Sequence, residues 1–241
     1  NITITGEFIN TDADAFIIND GAQVFQNNNN VEATFNKNIR TPKSWGTSKY
    51  DGWQFIASPF TNAAVSLFTN AGDEYDLYKF DGRHENLTVE WRNHKDPEAQ
   101  FETEFVSGRG YMASYESNTT ATLSGTFNSS TSITYPVTYQ EIQEGEMHWP
   151  NFHLLGNPFT FNMDLSKLQT FHIATGVAVI NNTGGWDYLT SGSINVGDGF
   201  FVRTVGVNPS VSYSEGSTRS SDNNVTDNIS IRISNSTSRD N

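Results

Sequence analysis

The chain has 241 residues, with 14 Lys and Arg against 27 Asp and Glu, and a formal net charge of -13. So acidic a surface repels phosphate backbones and anionic lipids, which argues against nucleic-acid binding and against binding to a membrane surface. The absence of cysteine excludes disulfides, thiolate zinc sites and cysteine nucleophiles, and the absence of an apolar run of about 18 residues predicts no membrane insertion.

Residues 1–44 are predicted to form a block of short β-strands. The segments "NITITGEFIN", "DAFIINDGAQVFQ" and "NNNVEATFNKNI" each alternate apolar and polar residues. Strands this short and this closely spaced are typical of hairpins or of successive rungs of a β-solenoid, and both interpretations stay open. Three rungs are few for a solenoid that stands alone, so we expect this chain to be a piece of a longer polypeptide.

Four landmarks then occur twice in the same order. Each copy has an apolar run ending in Pro-Phe, a second apolar strand, a Trp and a Gly-x-Gly before an aromatic strand. The paired landmarks are Pro59 and Pro158, "LYKF" (77–80) and "VAVI" (177–180), Trp91 and Trp186, and "GRGYMAS" (108–114) and "GDGFFVR" (197–203). This recurrence predicts an internal duplication that produces two related β-units.

Each landmark has a structural interpretation. The Pro ends a buried strand because it withholds an N–H from the ladder, and the Gly-x-Gly supplies a positive φ or a bulge. The Trp is expected to fill a core between two sheets. Between the copies, "TATLSGTFN" and "TSITYPVTYQEI" alternate cleanly and predict a hairpin. Asp164 is a predicted N-cap for one or two helical turns at "LSKL".

The predicted fold class is therefore all-β: an antiparallel β-sandwich built from two related repeat units, preceded by a short β-solenoid-like or hairpin block. The block covers residues 1–44, the first β-unit 45–150 and the second β-unit 151–215. Residues 216–241 are predicted to be a linker followed by a terminal strand, "ISIRIS".

The repeated strings resemble a known type of protein module. Across about residues 45–205, "GWQFIASPF", "YDLYKFDG", "EWRN", "GRGYMAS", "TATLSGTFN", "HLLGNPF" and "GDGFFVR" are similar to a module of large surface proteins of Gram-negative anaerobes. In those proteins a β-solenoid or repetitive region leads into the module, and a carboxy-terminal secretion signal follows. The resemblance implies an exported, adhesion-type protein, and it carries over no catalytic residue and no ligand pocket.

No catalytic motif stands out among the nucleophiles and bases. The five histidines lack any metal-ligand spacing, and there is no Gly-x-Ser-x-Gly elbow. Ser58 in the first copy is replaced by Asn157 in the second, which favours a turn role over a nucleophile. The Gly-x-Gly pairs lack the rest of a dinucleotide fingerprint. We therefore predict a non-enzymatic protein with no required cofactor.

Two acidic clusters are alternatives as calcium ligands. Oxygen-rich loops of exported β-proteins can hold Ca²⁺, although an acidic chain also produces such clusters by composition alone. The candidate ligands are Asp12 and Asp14 in "DADA" and Asp73, Glu74 and Asp76 in "GDEYD".

Aromatic side chains are the candidates for ligand contact, because flat rings stack on sugar rings. The set considered comprises Trp45, Trp53, Trp149, Tyr75 and Tyr78, most of which are expected to fill the core. Trp149 is the favoured candidate because it lies in a polar, Pro-containing connection.

The leading hypothesis is a non-enzymatic module of an exported cell-surface protein that acts in cell adhesion. Its partner would be a protein or glycan on a host or neighbouring cell, and its location extracellular. One alternative is a carbohydrate-binding module assisted by calcium. A second is a hydrolase, which requires a cleft with two facing carboxylates.

Overall fold

The computed structural model describes residues 9–25, 30–39, 52–69, 74–82, 90–141, 149, 151–181 and 183–215. The regular secondary structure of these residues is almost entirely β. The strands are β1 (Ile17–Asn19), β2 (Glu32–Ile39), β3 (Gln54–Ile56), β4 (Tyr75–Phe80), β5 (Trp91–Asn93), β6 (Tyr111–Tyr115), β7 (Thr119–Thr126), β8 (Ser132–Tyr135), β9 (Phe152–Gly156), β10 (Met163–Asp164), β11 (Leu168–Phe171), β12 (Val177–Ile180), β13 (Trp186–Leu189), β14 (Ser193–Ile194), β15 (Gly199–Arg203) and β16 (Ser210–Ser214). The helical elements are α1 (Val65–Thr69) and 3-10 turns at Ala13–Ala15, Pro97–Ala99 and Leu165–Lys167.

A first sandwich forms from two sheets. The three-stranded sheet β1-β2-β7 packs against the four-stranded sheet β3-β6-β4-β5. Phe35 of β2 is fully buried in this core, which it shares with Leu123, its cross-strand partner on β7. From the four-stranded sheet come Ile56, Leu77 and Tyr111, each at most 1% exposed. The predicted packing of β-sheet on β-sheet is thus confirmed for this half.

A second sandwich repeats the arrangement. Here the three-stranded sheet β11-β16-β8 packs against the four-stranded sheet β13-β12-β15-β9, and β10 pairs with β14 in a small extra ladder. Its core includes Tyr213, Val211, Leu155 and Phe200. In each sandwich, the strand that precedes the four-stranded sheet pairs antiparallel with the strand that follows it: β2 with β7, and β8 with β16.

A third apolar cluster joins the two sandwiches. Neighbouring residues of a strand point to opposite faces of its sheet, so Phe55 and Leu154 turn away from the cores that hold Ile56 and Leu155. They meet in this central core together with Phe201, which is 1% exposed. The described residues therefore form four main sheet layers with three apolar cores between them.

The two four-stranded sheets have the same strand order and the same register. The four strands of each sheet can be numbered in chain order, β3, β4, β5 and β6 in one and β9, β12, β13 and β15 in the other. The spatial order is then first, fourth, second, third in both sheets: β3-β6-β4-β5 and β9-β15-β12-β13. Counterpart pairs are Ile56↔Tyr111 and Leu155↔Phe200, Phe55↔Met112 and Leu154↔Phe201, Tyr78↔Met112 and Ala178↔Phe201, and Phe80↔Trp91 and Ile180↔Trp186. Residues aligned by the four sequence landmarks thus occupy corresponding places in space.

Contacts between the sandwiches are reciprocal. Ile56 of the first forms an antiparallel bridge with Asp198 of the second, and its counterpart Leu155 bridges Arg109, the counterpart of Asp198. Backbone hydrogen bonds follow the same rule. The Ala57 N–H donates to the Gly197 carbonyl at 2.9 Å, and the Gly156 N–H donates to the Gly108 carbonyl at 2.9 Å.

Several local predictions are confirmed. The first glycine of each Gly-x-Gly has a positive φ, 77° at Gly108 and 76° at Gly197. Asp164 caps the 3-10 turn Leu165–Lys167 by accepting the Ser166 N–H at 2.9 Å. At the repeated Pro, the side chains of Ser58 and Asn157 both accept the N–H two residues on, which is the turn role expected for them.

The predicted hairpin between the two copies is wrong. Strands β7 and β8 do form, but β7 pairs with β2 and β8 pairs with β16, in different sheets. The alternating pattern fixes which face of each strand is buried but not which strand lies beside it.

Between β1 and β2 the pairing is parallel, with Ile17 opposite Thr34, as between rungs of a solenoid and unlike a hairpin.

The cores do not divide where the predicted boundaries lie. Strand β2, from the 1–44 block, belongs to the first sandwich, and β8, from the 45–150 unit, belongs to the second. Residues 216–241, with the predicted terminal strand, lie outside the described residues. Among the helices that the structure describes, none is long and apolar enough to cross a membrane.

Candidate functional site

Exposed aromatic rings gather where the central core reaches the surface. We call Trp149, Trp186 and Tyr188 the waist patch; they are 42%, 37% and 74% exposed. The rings of Trp149 and Trp186 lie 5.9 Å apart with 29° between their planes. Trp186 and Tyr188 point to the same side of the edge strand β13, because they are two residues apart. Large flat apolar faces are thus open to solvent on one side of the molecule.

Trp149 is held in place from both sides. Its backbone N–H donates to Glu90 Oε1 at 3.1 Å, and Glu90 is only 5% exposed. Its carbonyl accepts the Phe152 N–H at 3.1 Å. The indole packs on Trp186 and, at 6.3 Å between centroids, on Phe201 of the central core. A ring anchored in this way loses little conformational freedom when it contacts a ligand.

A second feature is a groove of about 510 Å³ between the two sandwiches. Its lining includes the apolar residues Phe55 and Leu189 and the charged residues Lys37, Asp20 and Asp198. Because Phe55 also packs against Trp186 at 5.4 Å, the groove and the waist patch are neighbours. We call it the Lys37 groove.

Lys37 binds carboxylates from both sandwiches. Its Nζ lies 3.0 Å from Asp20 Oδ1 and 2.7 Å from Asp198 Oδ1, with the lysine side chain 8% exposed. Burial alone lowers the pKa of Lys37, but the charges and hydrogen bonds of Asp198 and Asp20 outweigh it and raise the pKa above its usual value. The ammonium therefore stays charged and ties the two sandwiches together.

Gln54 lies in the same groove with an unused donor. The residue is 9% exposed, and its buried Nε2 meets no acceptor among the residues that the structure describes. A buried amide donor without a partner costs about 1–3 kcal/mol.

The predicted acidic clusters are engaged within the protein. Asp12 accepts the Asp14 N–H at 3.0 Å and caps the turn Ala13–Ala15. Glu74 and Asp76 lie 3.5 and 3.8 Å from the Lys95 ammonium, which competes with a cation for their oxygens. Asp73 lies outside the described residues. Across the described part of the chain, no three His, Cys, Asp or Glu side chains converge in a metal-holding group.

The other aromatic candidates are placed in the first sandwich. Trp53 packs edge-on against Tyr78 at 5.7 Å, and the Tyr75 hydroxyl hydrogen-bonds His94 Nδ1 at 2.9 Å. Neither pair joins the waist patch. Trp45 lies outside the described residues, as do His84 and His148.

Sequence reasoning singled out Trp149 but missed Trp186 as a surface ring, and missed the Lys37 groove. Lys37 did leave a signal in the sequence. In β2 it lies on the same inward-facing side of the strand as Ala33 and Phe35. A lysine on that side needs buried carboxylates or hydrogen-bond acceptors to offset the burial of its charge. Asp198 lies 161 residues away from it, so no local pattern could identify the pair.

No protein-family model matches the chain, and no curated protein or solved structure matches it significantly.

Proposed function

We propose that this chain is a non-enzymatic module of an exported cell-surface protein that acts in cell adhesion. The observation that carries the proposal is the waist patch, because exposed aromatic rings anchored on a rigid core are typical of contact surfaces. The similarity of "GWQFIASPF" and "GDGFFVR" to surface-protein modules supports the same setting. Its partner is a protein or glycan on a host or neighbouring cell.

The two sandwiches are proposed to derive from an internal duplication. Matching strand order, matching registers and reciprocal contacts support this origin. A duplicated unit supplies a surface between its copies that neither copy has alone, and the waist patch lies there.

Adhesion is tested with beads that carry the purified chain. We expect the beads to bind cultured epithelial cells, and the double variant Trp149→Ala/Tyr188→Ala to reduce binding at least fivefold. The control is Phe171→Ala, since Phe171 is another exposed aromatic, 55% exposed, outside the patch. Equal binding by the patch variant and the native chain would reject the patch as the adhesive surface.

A second candidate is carbohydrate recognition, which the near-parallel, exposed Trp149 and Trp186 rings favour. A glycan array, read once with calcium and once with chelator, tests it. A hit that Trp149→Ala removes from a folded protein places binding at the patch. A hit that only chelator removes directs attention to Glu74 and Asp76. An array without hits rejects glycan recognition and leaves protein partners for the adhesion assay.

The hydrolase alternative required two facing carboxylates. Asp20 and Asp198 are brought together at the Lys37 groove, but both pair with the Lys37 ammonium, at 3.0 and 2.7 Å. Catalysis by two carboxyl groups needs one of them protonated and the other ionised. Because both carboxylates hydrogen-bond the same ammonium, the arrangement supports a structural ion pair over an acid–base pair.

A further inference from the structure

We propose that the open edge of strand β13 binds an extended basic segment of a partner protein by antiparallel β-strand addition. This inference rests on the adhesion proposed above and names the class of partner that the waist patch takes. Among the strands that the structure describes, β13 pairs only with β12, so it ends its sheet. A strand at the end of a sheet presents backbone N–H and C=O groups with which another chain can pair.

The hairpin of β12 and β13 shows which backbone groups point to the open edge. The Asn181 N–H donates to the Gly185 carbonyl at 2.8 Å, which makes these two residues a hydrogen-bonded pair. Such pairs alternate with non-hydrogen-bonded pairs along an antiparallel ladder. Asp187 therefore directs its backbone groups at β12, whereas Trp186 and Tyr188 direct theirs at the open edge. Both aromatic residues are exposed, by 37% and 74%.

The corresponding edge of the first sandwich is closed. By its register, Asn93 of β5 corresponds to Tyr188 of β13. The Asn93 carbonyl already accepts the Asp96 N–H at 3.1 Å, in the turn that follows the strand. All three residues of β5 are half-buried, whereas three of the four residues of β13 are exposed. Proteins protect an edge by shortening the strand or by covering it with a loop, and β13 presents exposed aromatic residues instead.

Strand alternation decides which side chains the bound segment carries. Trp186 and Tyr188 project to the face of the waist patch, so the segment residues opposite them lie against the patch and are apolar. Asp187 projects to the other face and is exposed. Its Oδ1 accepts from Asn181 Nδ2 at 2.9 Å, and the carboxylate has further acceptor positions. Because opposite charges on facing residues stabilise a strand pair, the segment reads apolar, then Lys or Arg, then apolar.

The orientation and the occupant follow from the sheet and from the charges. Every ladder of the sheet β13-β12-β15-β9 is antiparallel, which favours antiparallel addition. A second copy of this chain fits the edge less well. Pairing Trp186 of one copy with Tyr188 of the other sets two Asp187 carboxylates opposite each other, and like charges there are destabilising. Two chains at -13 also repel each other, whereas a basic segment is attracted.

The test starts with random heptapeptides displayed on phage and selected against the immobilised full chain. We expect the enriched sequences to share the apolar–basic–apolar pattern. In an antiparallel pair the two apolar residues turn their backbone N–H groups to Trp186 and Tyr188, and the N–H of the basic residue points away. N-methylation of the two apolar residues should therefore weaken binding of a selected peptide about tenfold, measured by fluorescence polarisation. N-methylation of the basic residue is the matched control and should leave binding unchanged.

Variants of the chain test the same edge from the other side. Tyr188→Pro removes an N–H that points away from β12, so the hairpin persists. It should bind the selected peptide about tenfold more weakly than Tyr188→Ala, which lacks the ring but keeps the N–H. Asn93→Pro makes the corresponding change on β5 and should leave binding unchanged. Asp187→Lys should weaken binding about threefold and should prefer a peptide with Glu in place of the basic residue.

Equal effects of the two N-methylations, or selected peptides that Tyr188→Pro binds as tightly as Tyr188→Ala does, would overturn strand addition. A dimer of the native chain that Tyr188→Pro dissociates would assign the edge to a second copy and overturn it as well. If no peptide is enriched but beads bind cells through Trp149 and Tyr188, strand addition fails and adhesion stands. If peptides are enriched as expected but beads bind no cells, the peptide site stands and adhesion fails.

Discussion

Gly197 is a residue at which a side chain would be strained in two ways. Its φ of 76° disfavours any residue with a Cβ, and a Cβ there would lie 2.4 Å from Phe35 Cε1 in the first core. We expect Gly197→Ala to lower the free energy of unfolding by about 2–4 kcal/mol, from backbone strain together with overpacking. Urea unfolding followed by tryptophan fluorescence measures it.

Gly192→Ala is the control for that change. Gly192 also has a positive φ, 95°, but a Cβ there would meet nothing within 4 Å. Gly192→Ala should therefore lower the free energy of unfolding by only about 1 kcal/mol, from backbone strain alone. Equal losses for the two variants would show that the contact with Phe35 carries no energy.

Buried tyrosines set the upper pH limit of stability. Burial raises the pKa of Tyr111 to about 12, and it raises the pKa of Tyr115, Tyr135 and Tyr213 as well. Each raised pKa contributes stability that is complete below about pH 10, the value for an unfolded tyrosine, and is lost as pH rises towards the folded pKa. The unfolding temperature should therefore fall steeply above pH 10.

Circular dichroism melts between pH 8 and 12 check this expectation. Tyr111→Phe removes one titrating group, so its unfolding temperature should fall less steeply with pH above 10, even though the lost hydrogen bond from the Val106 N–H lowers it at pH 8. A native chain whose melting point stays level from pH 8 to 12 would contradict the expectation.

At the scale of elements, Asp164 shows how one side chain ends a strand and starts a turn. It closes β10 and caps Leu165–Lys167 through the Ser166 N–H. That hydrogen bond holds the pKa of Asp164 below its usual value. We expect Asp164→Ala to cost about 0.5–1 kcal/mol near neutral pH, measured by urea unfolding.

Asp164→Asn keeps an oxygen in the capping position and should lose less than the alanine variant. Because a lowered pKa contributes stability above the unfolded pKa, the cost of Asp164→Ala should shrink as pH falls below 4. A cost that is the same at pH 3 and pH 7 would argue against the cap.

Strand periodicity and turn chemistry could be predicted from the sequence, but strand partners could not. The alternation in "TATLSGTFN" correctly located β7, and the repeated Pro-Phe and Gly-x-Gly landmarks located the ends of β3, β6, β9 and β15. The partner of β7 is β2, and the residues that pair lie from 80 (Ile39↔Thr119) to 94 (Glu32↔Thr126) positions apart, so no local pattern encodes the pairing. The Lys37 groove could not be predicted from the sequence for the same reason, because Lys37 and Asp198 come from separate sandwiches.

On the scale of the whole molecule, Phe201 joins the two sandwiches. Its ring contacts Phe55 and Phe80 from the first sandwich, at 5.1 and 4.9 Å, and Phe152 from the second, at 6.0 Å. We expect Phe201→Ala to cost about 3–5 kcal/mol and to increase hydrogen exchange in both sandwiches, since the cavity opens the core they share. Hydrogen exchange followed by mass spectrometry provides the regional readout.

Phe171→Ala is the matched control, because it makes the same substitution at an exposed position. Phe171 is 55% exposed at the end of β11, so its loss should cost less than about 1 kcal/mol. If Phe201→Ala increases exchange in the second sandwich alone, the two sandwiches unfold independently and the central core does not couple them.

The reciprocal bridges have a consequence for how the protein can vary. Contacts in which each partner presents the same patch are the mark of an isologous dimer, so this chain packs its halves as two subunits would, fused in one polypeptide. Near such an axis a residue faces its own counterpart: a methyl at Gly156 would lie 2.4 Å from Ala57 Cβ. There is space for one methyl group and not for two. The same methyl would also lie 2.6 Å from the Arg109 carbonyl oxygen, so Ala57→Gly should relieve only part of the destabilisation that Gly156→Ala causes, and position 156 should stay glycine.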